Sequence, residues 1–334
     1  MSVADADSLG PPTRRAARVG SQTRVLLNRY SFAFALLLVI ALLIANLLME
    51  SGGFGLTDQL GNFAPIALAA MASSPAIISG GGGIDLTISP LMTLTSGVFL
   101  VWLVPNGLAG VVAIPIASTI GIAVGTINGL IIVGLRVQPV VATLSMYFVL
   151  LGVDLSIVPT PVDLSGSSWV SSLAHSVGPI PGALFTLAVP ILIWFLLGRT
   201  PFRRTLYAVG SNDATAFASG VNVGLVRVLA YALGGLFAGI GGLALTGLVA
   251  SVDASLASTY TLLAIASVAL GGTSLWGGRG GLFGALLGAA AIYLLQNFLT
   301  LAQIDPSWLQ VMYGVMLVVA VILSGFTTLS RKTA

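Results

Sequence analysis

Few side chains in this sequence are equipped for covalent chemistry, and they stand apart. There is 1 histidine, His175, and there are 0 cysteines. That excludes thiolate nucleophiles, disulfides, Cys-ligated metals and any site needing two imidazoles. The only lysine is Lys332. A P-loop needs a lysine directly after its glycines to reach the phosphates, so Gly80-Gly81-Gly82-Gly83 is not one, and ATP hydrolysis by that route is excluded. A serine nucleophile needs an adjacent base, and the acids are scattered singly instead of paired for proton transfer. The inventory does not fit an enzyme acting alone. Polar chemistry of the binding kind remains: Asp85 just beyond four glycines, Thr87 close after it, Asn128 inside an apolar run, and a polar segment from Asn212 to Gly220.

The elements that must position these groups lie in a membrane. Of 334 residues, 57% are hydrophobic and 7% charged, and the mean hydropathy is +1.05. Soluble domains carry about 25% charged residues, so an ordinary globular protein is excluded. The pI of 9.5 rests on 13 basic against 10 acidic residues, too sparse for a surface that tracks nucleic-acid phosphates. The 41 glycines suit a transmembrane bundle, where glycine is more frequent than in soluble helices.

A charge-free run at 31–49 is too long for a signal-peptide core and reads as a retained first helix. Apolar stretches of bilayer-crossing length follow at about 60–79, 87–104, 108–133, 138–157, 182–198, 228–250, 259–276, 281–301 and 308–325. With ten spans and a cytoplasmic N-terminus, all 13 Lys and Arg residues fall in inner loops or termini, as the positive-inside rule requires. The longer loops are an outer one at 158–181, holding Trp169 and His175 and long enough for a short interfacial helix, and an inner one at 199–227. The breaks at 80–86 and 277–281 are glycine-rich, so either could be re-entrant. Fourfold glycine spacing at Gly121, Gly125 and Gly129, at Gly235 and Gly239, and at Gly280, Gly284 and Gly288 is what close helix packing in lipid calls for.

Asp85 carries two readings. Carboxylates at membrane depth are costly and tend to be functional, yet an aspartate ahead of Leu86-Thr87-Ile88 is also placed to hold free backbone amides at a helix start. Asn128 either bonds across helices or meets a polar solute. In the inner loop, Asn212 or Ser211 is a good N-cap, Asp213 sits at the favourable end of the helix dipole and Gly220 is a C-terminal stop. This predicts a two-turn helix, either a surface connector or a docking element. A faint internal echo links Gly82-Gly83-Ile84-Asp85-Leu86 with Gly271-Gly272-Thr273-Ser274-Leu275.

From about residue 60 to 325 these segments resemble the permease subunits of bacterial ABC importers for simple sugars, the ribose-type family. Gly81-Gly82-Gly83-Ile84-Asp85-Leu86-Thr87 is similar to the family's GG-I-D-L-S segment, Gly125-Thr126-Ile127-Asn128-Gly129 to its NG helix, and Pro139-Val140-Val141-Ala142-Thr143-Leu144 to its P-x-I-x-T-L. Gly210-Ser211-Asn212-Asp213-Ala214 through Ser219-Gly220-Val221-Asn222-Val223 resembles its coupling segment, with Ser211 where a second glycine is usual and Asp213 where Glu is common. The stretch from Ala264 to Gly278 is similar to A-I-A-A-V-V-L-G-G-T-S-L-x-G-G.

Hydropathy and charge read as an all-α integral membrane protein of about ten transmembrane helices with both termini cytoplasmic: a disordered basic arm at 1–29, a transmembrane domain at 30–326 and a cytoplasmic tail at 327–334. The resemblance implies that this domain is a type II importer permease. It implies ATPase coupling through Asn212, Asp213, Ala214, Ala216, Ser219 and Gly220, and a translocation pathway beside Gly81, Gly82, Asp85, Thr87, Asn128, Gly271, Gly272, Thr273 and Ser274. The expected partners are an ABC ATPase subunit that uses ATP and Mg, an extracytoplasmic substrate-binding protein, and a second permease copy or paralogue, in a bacterial inner membrane. No cofactor is expected on this chain. Family relatives also move nucleosides, a signalling sugar or branched-chain amino acids. An ion-coupled secondary transporter, using Asp85, and a non-transporting membrane scaffold or receptor subunit remain rival readings.

Overall fold

A computed structural model of the chain describes residues 33–50, 55–164 and 169–305, together with 307, 308, 311, 312, 314, 315 and 318. The arm at 1–29, the tail at 327–334 and much of the span expected at 308–325 lie outside the described residues. The described chain is mostly helical. In order it runs through α1 (Ala33–Met49), α2 (Leu56–Ile78), α3 (Ile88–Gly97), α4 (Ala113–Gly134), α5 (Pro139–Ile157), α6 (Trp169–Ala174) and α7 (Ala183–Leu197). It continues through α8 (Pro201–Ser211), α9 (Asp213–Ala218), α10 (Val223–Val249), α11 (Tyr260–Leu270) and α12 (Leu282–Leu301). Helix α3 carries on without a break into a π-turn over Val98–Leu103. Four two-residue strands form two small antiparallel ladders, Val162–Asp163 with Ser251–Val252 and Ser176–Val177 with Ile180–Pro181.

Helices α2, α4, α5, α10 and α12 are each long and apolar enough to cross a bilayer, and α7 with α8 makes a sixth if that pair is one bent span. Helices α1, α3 with its π-turn, and α11 are apolar but shorter. The span expected at 259–276 differs most from what is seen. Helix α11 has 11 residues, about 16 Å at 1.5 Å per residue, roughly half the apolar thickness of a bilayer. Its stop is built into the backbone: Gly272 takes φ +79°, Gly271 N–H donates to Ser267 O and Thr273 N–H donates to Val268 O, the six-to-one closure that ends helices at glycine. Leu275 and Trp276 extend the apolar run past this stop and hide it from a hydropathy reading. Sequence reasoning also missed α8. Pro201 opens it at the first helical position, and it leaves α7 at 85°.

Glycine decides which helices sit at the centre. Helix α10 lies along α4, α2 and α3. On its α4 side a Cβ added to Gly235 would fall 2.0 Å from Gly121 O, and one added to Gly125 would fall 2.2 Å from Tyr231 O. The two backbones are therefore in direct contact, which is the packing role that the fourfold spacing implies. Helix α12 meets α11 in the same way at Gly284 and Gly288. Helix α1 is tied to α12 by polar glue: Asn46 Nδ2 donates to Leu294 O at 2.9 Å, and Asn297 Nδ2 donates to Asn46 Oδ1 at 2.9 Å. The outer loop holds the short α6, whose Trp169 indole N–H donates to Ala109 O, while His175 is exposed beside it.

Candidate functional site

The chain leaves α2 and reverses over Gly80, Gly81 and Gly82, which have φ of +73°, +63° and +74°, a left-handed run that side-chain-bearing residues adopt at a cost. It then runs extended into Asp85, which is 2% exposed. Asp85 Oδ1 accepts from Thr87 N–H at 2.9 Å and from the Thr87 hydroxyl at 2.6 Å. Asp85 thus closes an Asx-type turn at the start of α3. The helix-start reading is what the geometry shows, with Thr87 in the N-cap position. Thr87 Oγ1 in turn accepts from Asn128 Nδ2 on α4 at 3.0 Å, and Thr143 Oγ1 on α5 lies 3.2 Å from Ile84 O. Three helices are therefore pinned to one buried polar node. Asn128 does bond across helices; its Oδ1 is buried without a partner, as is the Tyr231 hydroxyl on α10.

This geometry separates two roles by substitution. Asp85→Asn keeps an acceptor at Oδ1, whereas Asp85→Ala strands the buried Thr87 N–H. Loss of a buried partner costs about 1–3 kcal/mol. The alanine protein is expected to show a lower thermal midpoint in detergent, with Asp85→Asn near the parent. An Asp85→Asn midpoint as low as that of Asp85→Ala would transfer the role from the turn to the charge itself.

Two further segments meet the glycine turn. Gly210, near the end of α8, has no room for a side chain: an added Cβ would lie 1.9 Å from Ile78 O and 2.5 Å from Gly278 N. Gly278 N–H donates to Ile78 O at 2.9 Å, and Tyr207 OH donates to Gly280 O at 2.8 Å. The turn after α2, the end of α8 and the loop before α12 are thus stacked backbone to backbone. Gly271, Gly272, Thr273 and Ser274 start that last loop. Gly271 abuts Gly284, Thr273 is buried with its Oγ1 accepting from Gly281 N–H at 3.3 Å, and Ser274 N–H donates to Arg279 O at 3.3 Å.

Directly after α8 comes the short helix that the inner-loop pattern predicts. Asn212 Oδ1 accepts from Thr215 N–H at 2.9 Å as the N-cap, Asp213 occupies the first turn, and Gly220 takes φ +83° just past Ser219. Asn212, Asp213, Ala214, Ser219 and Gly220 are exposed. Ala216 is not; it is buried in the chain's own core. Phe217, 73% exposed, is the large side chain that α9 presents outward, and sequence reasoning gave it no role. Asp154 was passed over too. It is 1% exposed within α5, and both carboxylate oxygens lack a partner among the described residues. Its setting among Leu150, Leu151, Val153, Leu155 and Ile157 was the available signal.

Comparison with known proteins places most of the chain in one family. Residues 55–321 match the family described as branched-chain amino acid transport system / permease component. The chain is 34% identical to the ribose import permease protein RbsC of Bacillus subtilis over 72% of this chain and 76% of that protein. It is 34% identical to the probable ABC transporter permease protein YphD of Escherichia coli over 88% and 90%. It is 28% identical to the fructose import permease protein FrcC of Rhizobium meliloti over 80% and 77%. No solved structure matches the chain.

Proposed function

Since the chain belongs to the family of branched-chain amino acid transport system permease components, we propose that it is the membrane-spanning subunit of an ATP-binding-cassette importer, forming the pathway for a simple sugar, a monosaccharide or polyol. The names of the similar ribose and fructose permeases support the substrate class. A second support is the scarcity of charge inside the apolar helices, which suits a neutral solute. One observation carries the energising step: α9 is capped at its start, stopped at Gly220, exposed except at Ala216, and joined through α8 to two glycine breaks.

In this reading the partner ATPase, which uses ATP and Mg, grips α9 across Asn212, Asp213, Ala214, Ser219 and Gly220. Movement of α9 and α8 then shifts the turns at Gly81–Gly82 and Gly271–Ser274, which changes the side to which the path beside Asp85, Thr87 and Asn128 is open. An extracytoplasmic binding protein delivers the sugar, and a second permease copy or a paralogue supplies the other half of the path. The finer architecture belongs to the same proposal: ten spans in a type II arrangement, a cytoplasmic arm and tail, and residence in a bacterial inner membrane.

Gentle-detergent purification from native membranes, with mass spectrometry of the copurifying proteins, tests the reading. A stoichiometric P-loop ATPase is the expected result, and a second permease chain beside it would decide between homodimer and heterodimer. A protein that purifies alone, with uptake that collapses on adding a proton or sodium ionophore, would sink the importer reading. Asp85 and Asp154 would then become the residues to study.

A further inference from the structure

Arg227, in the first turns of α10, touches both ends of the route described above. Its Nη2 donates to Asp213 Oδ2 on α9 at 3.0 Å. On its other side the guanidinium covers the glycine turn: a Cβ added at Gly81 would fall 2.6 Å from Nη2 and 3.1 Å from Cζ. The Arg227 side chain is 23% exposed against 56% for Asp213, and its Nε is buried without a hydrogen-bond partner.

An ion pair of this exposure contributes little by itself, so a plain stabilising role leaves the second contact unexplained. A planar, rigid guanidinium held between a carboxylate and a bare glycine backbone transmits displacement in a way a flexible ammonium does not. We propose that Arg227 is a positioning residue that couples α9 to the Gly80–Gly83 turn, so that motion imposed on Asp213 reaches the backbone leading to Asp85. This rests on the importer reading and names the side chain that makes its mechanical link. Gly81 is part of the same device, because a methyl there would push the guanidinium away.

The test is made on the full complex of permease, ATPase and binding protein in proteoliposomes, with D-ribose and D-fructose as probes, by measuring ATP hydrolysed per sugar taken up. Arg227→Gln and Gly81→Ala are each expected to raise that ratio about tenfold, within the usual range of coupling between sites. Arg227→Lys, which keeps the charge facing Asp213 but replaces the planar guanidinium over Gly81 with a flexible ammonium, is expected to raise the ratio about tenfold as well. Wild-type ratios in both Arg227→Gln and Gly81→Ala would overturn the inference. So would loss of the ATPase from the Arg227→Gln complex with Gly81→Ala at the wild-type ratio, since Arg227 would then serve assembly alone. Uptake by the wild-type complex that needs no ATP and collapses on adding a proton or sodium ionophore would overturn the importer reading, and the inference with it.

Discussion

Gly210→Ala is expected to cut uptake more than tenfold, although Gly→Ala in a helix is ordinarily stabilising by about 0.5–1 kcal/mol. The added methyl would sit 1.9 Å from Ile78 O and 2.5 Å from Gly278 N, so the atoms it meets are backbone and have no rotamer to escape into. Forcing such a fit costs about 1–3 kcal/mol or more, and here it falls on the Gly278 N–H to Ile78 O bond that closes the junction. The control is Gly134→Ala at the end of α4, where nothing lies within 4 Å of the new methyl. Initial uptake rates of the two proteins, normalised to membrane content, are expected to differ by more than tenfold. Equal rates would mean that the stacked turns do not take part in the working cycle.

The second large effect is on assembly. Phe217→Ala should weaken binding of the purified ATPase subunit by about 30-fold, the equivalent of roughly 2 kcal/mol for a buried interface anchor. Aromatic anchors dominate such contacts when a partner encloses them, and Phe217 is 73% exposed on a helix whose neighbouring Ala216 faces inward. Because Phe217 makes little contact within its own chain, the thermal midpoint of the free permease should not move. Surface-immobilised permease titrated with ATPase gives the number directly. Unchanged binding would remove α9 as the main grip, and a fall in both binding and midpoint would mean that Phe217 supports the permease itself.

What could be read from the sequence was chiefly what local chemistry decides. Asn212 and Gly220 announce the limits of α9 because a cap and a left-handed stop are properties of a few adjacent residues. The fourfold glycines of α4 and α10 announce their contact for the same reason. Asp85 was legible as a helix-start residue, but its link to Asn128 through Thr87 spans 41 positions, and nothing short-range encodes it. Helix α8 was missed because its arginines interrupt the apolar pattern on which span-finding depends. The shortness of α11 was missed for the opposite reason: apolar residues continue beyond a stop that the backbone has already made at Gly271 and Gly272. Asp154 shows the limit most plainly. It is 1% exposed although it is the one charged residue of α5, and such burial is set by tertiary packing that no short-range pattern encodes.

The contact between α4 and α10 has a genetic consequence. When two side chains collide, a second substitution that shrinks one of them can restore the fit. A side chain introduced at Gly121 or Gly235 would collide with the carbonyl oxygen of the opposite glycine, and no codon change can shorten a carbonyl. Revertants of a damaged Gly121 should therefore be dominated by true return to glycine, with no compensating partner across the seam. The two helices are bound to inherit their separation as one unit.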